Sequence, residues 1–314
     1  MAVKARRIWR ARLLRGLEWT LARSPAVLRD SLLDGAAGLA RFTRYEQRTL
    51  ANLERVYGTE LDLDARRQLA REVRRHAALQ VGNWLELSRI RPDQRSSGEW
   101  IERRVRLDAS FERLERERRA GRGLLIVTAH LGDWELLCAR LARAGFPGAV
   151  VGYQRRNDPA SAFLPRMRRA YGVQTLDQSE PPRRALEILQ RGEVLGLVTD
   201  LAVVRLRGEV LPFLGQPAWT IRAPAALARA SGLPLMPVRC VRERSTGDFV
   251  LSVEEGLALD PALPPGERIS DLLRRQNEVF GRWIRATPEQ WAWHQERWKP
   301  APPLPRLDQI LGSS

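Results

Sequence analysis

Five short apolar runs mark the second half of the chain: LLIVTA (124–129), GAVVGY (148–153), VLGLVTD (194–200), PLMPVRC (234–240) and DFVLSVE (248–254). Stretches with helical periodicity lie between and after them, at 133–144, 159–171, 182–191, 219–231 and 267–285. Alternation of this kind predicts an α/β fold with a mostly parallel central sheet flanked by helices, and ligands outside the strand carboxyl ends. Residues 26–92 carry helical periodicity with few strand signals, up to the polar break RPDQRSSGEW. The division expected is an N-terminal helical region over 1–92 and an α/β domain over 93–314. RGEVLPFLGQPAWT reads as a Pro/Gly-shaped loop, either one that positions a site or one that only places Phe213 and Trp219 in the core.

The first 25 residues put Trp9, Leu13, Leu14, Leu17 and Leu21 on one helical face, with Arg7, Arg12, Arg15 and Arg23 mostly outside it. That pattern fits either a helix lying in a membrane interface or one packed on the domain behind it. No window holds the ~18 uninterrupted apolar residues that a spanning helix needs, and a secretory signal is not evident, so a cytoplasmic location is expected. The formal net charge of +16 over 314 residues implies attraction to polyanions: an anionic bilayer, a phosphorylated substrate or nucleic acid. Lys4 and Lys299 are the only lysines, an imbalance that codon bias explains more readily than selection for phosphate forks. Cys138 and Cys240 sit in apolar surroundings without ligand spacing and read as buried free thiols.

TAHLGDWELL (128–137) carries one of three histidines. His130 falls at the carboxyl end of an expected buried strand, ahead of a helix capped by Asp133, with Glu135 in its first turn. His130 is therefore a candidate general base and Glu135 a candidate to fix its tautomer; the alternatives are a packed imidazole and a carboxylate that only favours the helix dipole. His76, among arginines, reads as a solvated or capping residue. No metal is expected, since His76 and His294 are remote and no Cys/His cluster accompanies His130. P-loop, dinucleotide and nucleophile-elbow motifs are missing from the sequence.

Four blocks, in order, resemble the lysophospholipid acyltransferase family of bacterial lipid A biosynthesis, the lauroyl and myristoyl transferases. TAHLGDWELL is similar to its H-x4-D/E motif and VVGYQRRNDP to the next strand and turn. VLGLVTDLAVVRLRGEVLPFLGQPAWT matches a segment ending Pro-Phe-x-Gly-x-Pro-Ala-x-Thr, and PEQWAWHQERWKP the C-terminal Trp/His/Arg block. The likeness runs from about residue 48 to Lys299. It implies a glycerolipid acyltransferase-like fold with a membrane-associating helical extension, located at the cytoplasmic face of the bacterial inner membrane.

The activity implied is transfer of an acyl chain from acyl carrier protein or coenzyme A to a hydroxyl of a lipid A precursor or related glycolipid, without a resident cofactor. In that scheme His130 is the base, Glu135 orients and charge-stabilises it, and amides around Gly132 receive the oxyanion. Two departures stand out: Tyr153-Gln154-Arg155 where the family has Tyr-Arg-Pro, and Asp200-Leu201 where it has Asp-Gln. Arg155, Arg156, Arg166 and Arg169 are near enough to take over contacts to an acceptor phosphate, and Asp200 is counted with the substrate-binding residues. The alternatives are another glycolipid or aminolipid acceptor, or a non-enzymatic basic protein that binds membrane or nucleic acid; dispersed arginines without a nucleic-acid module speak against nucleic acid.

Overall fold

The computed structural model describes residues 12, 15–91, 95–153 and 159–299. Behind a helical stretch at 15–23 come three helices: α1 (Ala26–Leu39), α2 (Arg44–Tyr57) and α3 (Leu63–Leu87). The helix α4 (Arg95–Arg104) follows, occupying much of the stretch expected to be a break, and leads into the short strand β1 (Val105–Leu107). The body then runs α5 (Glu112–Arg119), β2 (Leu124–Thr128), α6 (Trp134–Arg143), β3 (Gly148–Gly152), α7 (Phe163–Ala170), β4 (Val173–Asp177), α8 (Pro182–Gln190) and β5 (Val194–Val198). After it come β6 (Gly208–Phe213), β7 (Gln216–Ile221), α9 (Ala223–Ser231), β8 (Leu235–Arg242), β9 (Phe249–Val253) and α10 (Arg268–Ala286).

Seven strands form one sheet in the order β1-β9-β8-β2-β5-β3-β4, parallel except for the β8/β9 pair. The expected α/β class with a mainly parallel sheet and flanking helices is thus borne out, and all five apolar runs are strands. Central strand β2 is buried throughout, and its alternation divides the interior in two. Leu125 and Val127 join one core with residues of α2, α3, α8, α9 and α10. Leu124 and Ile126 join a second with residues of α4, α6 and α7.

The segment 208–221 is a hairpin and not the expected loop, so the helix expected from 219 begins only at Ala223. Its two-residue turn is Leu214-Gly215, with φ of 51° and 79°, the positive pair that a type I′ hairpin requires. Leu214 is the one non-glycine at positive φ among the described residues. Burial compensates the left-handed conformation, because its side chain reaches to 3.7 Å from where a Cβ on Gly281 of α10 would be. Asn277 of α10 also donates to Pro212 O and to Thr220 Oγ1, both at 3.0 Å, anchoring the two strands of the hairpin.

Among the described residues no helix is long and apolar enough to cross a membrane. Both cysteines are free thiols; Cys240 is buried and Cys138 half-buried.

The hairpin tip yields a test with an inverted order of stability. Leu214→Ala should cost about 2–5 kcal/mol as a core truncation that keeps the backbone strain. Leu214→Gly removes the same side chain but relieves about 1–2 kcal/mol of left-handed strain, so urea unfolding should find it the more stable of the two.

Candidate active site

The carboxyl ends of neighbouring strands β2 and β5 bring His130 and Asp200 together, 70 residues apart in sequence. His130 Nδ1–H donates to Asp200 Oδ1 at 2.7 Å, and the His130 amide donates to Asp200 Oδ2 at 2.9 Å. Trp291 Nε1–H gives Oδ2 a further donor at 2.7 Å. Burial pushes the Asp200 carboxyl up, but the imidazole and these donors outweigh it and hold the group below the ordinary carboxylate range. The Asp200 side chain is fully enclosed and that of His130 is 19% exposed, so the imidazole is the part of the pair that meets solvent. Trp134 stands edge-on against the imidazole at 4.8 Å. An imidazole tied through Nδ1 to a buried carboxylate offers Nε2 as a proton acceptor, with tautomer and orientation both fixed.

The turn that carries His130 is held by α3. His76, Gln80, Asn83 and Trp84 lie at i, i+4, i+7 and i+8, one face of that helix. His76 Nε2–H and Gln80 Nε2–H donate to Gly132 O, at 3.1 and 2.9 Å. Asn83 Nδ2 and Trp84 Nε1 donate to the Asp133 carboxylate, at 2.9 and 3.1 Å. His76, expected to be solvated or capping, is neither: it lies within α3, half-buried, and burial lowers its affinity for a proton. Asp133 caps α6 as expected, its Oδ1 accepting from the amides of Glu135 and Leu136. Complete burial pushes its carboxyl up to about 6.

Gly132 has a φ of +62°, and a Cβ there would come within 2.0 Å of Cys240 O. Its amide donates to Gln290 O at 2.9 Å, and the Asp133 amide to Cys240 O at 2.9 Å. Of the amides around Gly132 expected to receive an oxyanion, those of Gly132 and Asp133 are therefore already taken by carbonyls of the fold.

Glu135 also differs from expectation. It does not fold back onto His130; from the first turn of α6 it reaches α7, where Arg168 Nε donates at 2.9 Å and Tyr171 OH at 2.8 Å, with Arg168 Nη2 on the other oxygen. Glu135 is fully buried and Arg168 nearly so, and their pairing raises the guanidinium's hold on its proton despite burial. Sequence reasoning passed over Arg168 in favour of Arg166 and Arg169. The signal was present: Leu164, Met167, Arg168 and Tyr171 form the i, i+3, i+4, i+7 face turned inward. Arg166 faces outward and pairs with Glu18 at 2.6 Å, and Arg169 is exposed. Arg155 and Arg156 lie outside the described residues.

The C-terminal Trp/His/Arg block closes the site from behind. Trp291 packs between Phe213 and Trp293 at 5.8 and 4.7 Å, while Asn52 of α2 donates to the carbonyls of Trp293 and Gln295. Arg297 is fully buried, its Cζ 4.2 Å from the Phe213 ring centre, with Nη2 donating to Thr220 Oγ1 at 3.0 Å. Burial draws its pKa down to about 10, against the pull of the Asp200 charge. His294 lies edge-on to Tyr45 at 5.7 Å, and burial together with the nearby His130 lowers its proton affinity.

Two cavities flank this centre. A cleft of about 470 Å³ between α1, α3 and the end of β8 is lined by charged residues of both signs, including Asp34, Glu72 and Arg242. A narrow apolar crevice of about 30 Å³ runs under α6, from Thr128 and Trp134 beside the imidazole to Phe146 and Gly148. Among the described residues no group of His, Cys, Asp or Glu could hold a metal ion.

No curated relative matches the chain. A family profile, by contrast, spans residues 1–300 and so takes in both helical lead-in and sheet, including all four blocks whose resemblance was noted in the sequence. The chain belongs to the bacterial lipid A biosynthesis acyltransferase family.

Proposed function

We propose that the chain transfers a fatty acyl group from a thioester of acyl carrier protein or coenzyme A to a hydroxyl of a lipid A precursor or related glycolipid, at the cytoplasmic face of the inner membrane. The observation that carries this reading is the His130–Asp200 contact at the ends of β2 and β5. His130 Nε2 takes the proton of the acceptor hydroxyl as its oxygen attacks the thioester carbon. The new C–O bond forms, the C–S bond breaks, and the proton passes to the departing sulfur. Asp200 holds the imidazole in the tautomer that leaves Nε2 free and stabilises the imidazolium as it develops. This is the part that the sequence assigned to Glu135. Glu135 instead anchors α6 to α7 through Arg168 and so steadies the helix that begins beside His130. The acyl chain is assigned to the apolar crevice under α6 because that crevice begins beside the imidazole; at about 30 Å³ it is too small for the chain as it stands, so taking the chain requires it to open.

Three outcomes test these roles. His130→Ala and Asp200→Asn should each keep the circular dichroism of the parent while lowering acyl transfer by about 10²–10⁴-fold, the range for a general base and for the group that fixes its tautomer. Parental turnover in the folded His130→Ala variant would refute the mechanism.

Glu135→Gln should act on stability. A guanidinium left buried without its carboxylate costs about 3–5 kcal/mol, while turnover per folded molecule stays close to the parent. A stable but inactive Glu135→Gln protein would return that carboxylate to the catalytic machinery.

Gly196 lines the crevice, and a Cβ there would meet Val150 Cγ2 at 3.3 Å. Gly196→Ala should therefore shift preference toward shorter acyl thioesters, read as relative kcat/KM over a series of chain lengths. Mass spectrometry of lipids from cells with and without the gene identifies the acceptor and chain directly.

A further inference from the structure

The backbone around His294 is fixed from two directions. Asn52 of α2 donates to Trp293 O at 2.7 Å and to Gln295 O at 3.1 Å, so one amide grips the chain on both sides of the histidine. Two residues earlier, the Ala292 amide donates to His130 O at 3.0 Å and fastens the same segment to the reacting residue. Tyr45, seven residues before Asn52 and so on the same face of α2, stands edge-on to the His294 ring at 5.7 Å. Yet neither ring nitrogen of this half-buried histidine has a hydrogen-bond partner among the described residues.

Burial lowers the proton affinity of His294, and the charges of His130 and Arg48 act in the same direction. At pH 7 the ring is therefore neutral, carries one N–H, and is a weaker base than an ordinary histidine. An oxyanion formed next to His130 needs donors, and the Gly132 and Asp133 amides are already taken by carbonyls. A neutral imidazole is matched to that task, because it donates to the developing charge without giving up its proton and, held by its backbone, has no reorganisation to undergo.

We propose that His294 is a second catalytic histidine, whose N–H holds the carbonyl oxygen of the acyl thioester while His130 receives the proton of the acceptor. The inference rests on the general-base reading of His130 and extends it to the other half of the reaction. As the hydroxyl oxygen adds to the carbonyl carbon, the π pair of the C=O bond moves onto the oxygen held by His294, and that hydrogen bond becomes charge-assisted. When the pair returns, the C–S bond breaks and the sulfur takes the proton carried by His130; the proton of His294 stays in place. The C-terminal block thus serves both sides of the centre, with Trp291 on the carboxylate behind the base and His294 on the electrophile.

The test compares His294→Phe, which keeps a ring against Tyr45 and removes the donor, with His294→Gln, which keeps an N–H, both in the full chain and verified by circular dichroism. His294→Phe should lose about 10²–10³ in kcat, with kcat/KM falling equally and the KM for the acyl thioester unchanged. His294→Gln should stay within about tenfold of the parent. A fluoroketone analogue of the acyl-pantetheine thioester, hydrated to a tetrahedral centre, should bind His294→Phe at least about tenfold more weakly than the parent, while the unfluorinated ketone binds both alike. Should His294→Phe fail to fold, His294→Ala takes its place in each comparison. The binding measurement reads no turnover, so its failure is distinct from a failure of the His130 assignment, which His130→Ala tests. A parental kcat in folded His294→Phe, a loss confined to KM, equal losses in His294→Phe and His294→Gln, or equal fluoroketone binding by parent and variant would each overturn the proposal.

Discussion

A carboxylate cut off from water has to be given its donors by the protein, and Asp200 is such a carboxylate. Its donors are the amide and ring of His130 and the indole of Trp291, which belong to the end of β2 and to the C-terminal block. Much of the architecture serves to deliver these groups. The β2/β5 adjacency sets the spacing between strand ends. One face of α3 fixes the turn that follows β2, and the hairpin β6/β7, gripped by Asn277 and Arg297, seats Phe213 against Trp291.

The apolar runs were legible as strands because a strand covered on both faces reads as nearly continuous hydrophobicity. β1 and β4 escaped, one being three residues with an arginine in its middle and the other a half-polar strand at the sheet's edge. The hairpin was hidden by Pro212, Gly215 and Pro217, which resemble loop punctuation yet permit an antiparallel ribbon outside the main sheet. His130 could be singled out because its position depends on one strand alone. Asp200 could be singled out as a site residue but not as the partner of His130, because the pairing depends on β5 lying beside β2, which is a property of the topology. Glu135 was nearer in sequence, but the direction of the helix turns it toward Arg168. The spacing of His76, Gln80, Asn83 and Trp84 was the readable sign of the supporting helix.

Codon bias accounts for many arginines spread over a surface, but not for three that are buried. Arg29 meets two carboxylates, Arg168 one carboxylate through two nitrogens, and Arg297 a carbonyl, a hydroxyl and an aromatic face. Each makes use of the planar fork, so a lysine would not replace it. Composition thus concealed a division between interchangeable surface charges and individually accommodated ones.

The indole that completes the Asp200 shell is contributed 91 residues after that carboxylate. During synthesis His130 and Asp200 emerge well before Trp291, so a nascent chain holds an acid and a base whose enclosure is unfinished. The ribosome thereby imposes an order in which the helices and the sheet are made first and the His130–Asp200 contact is sealed last. A polypeptide released ahead of Trp291 lacks this donor to Asp200 together with the buried Trp291, Trp293 and Arg297.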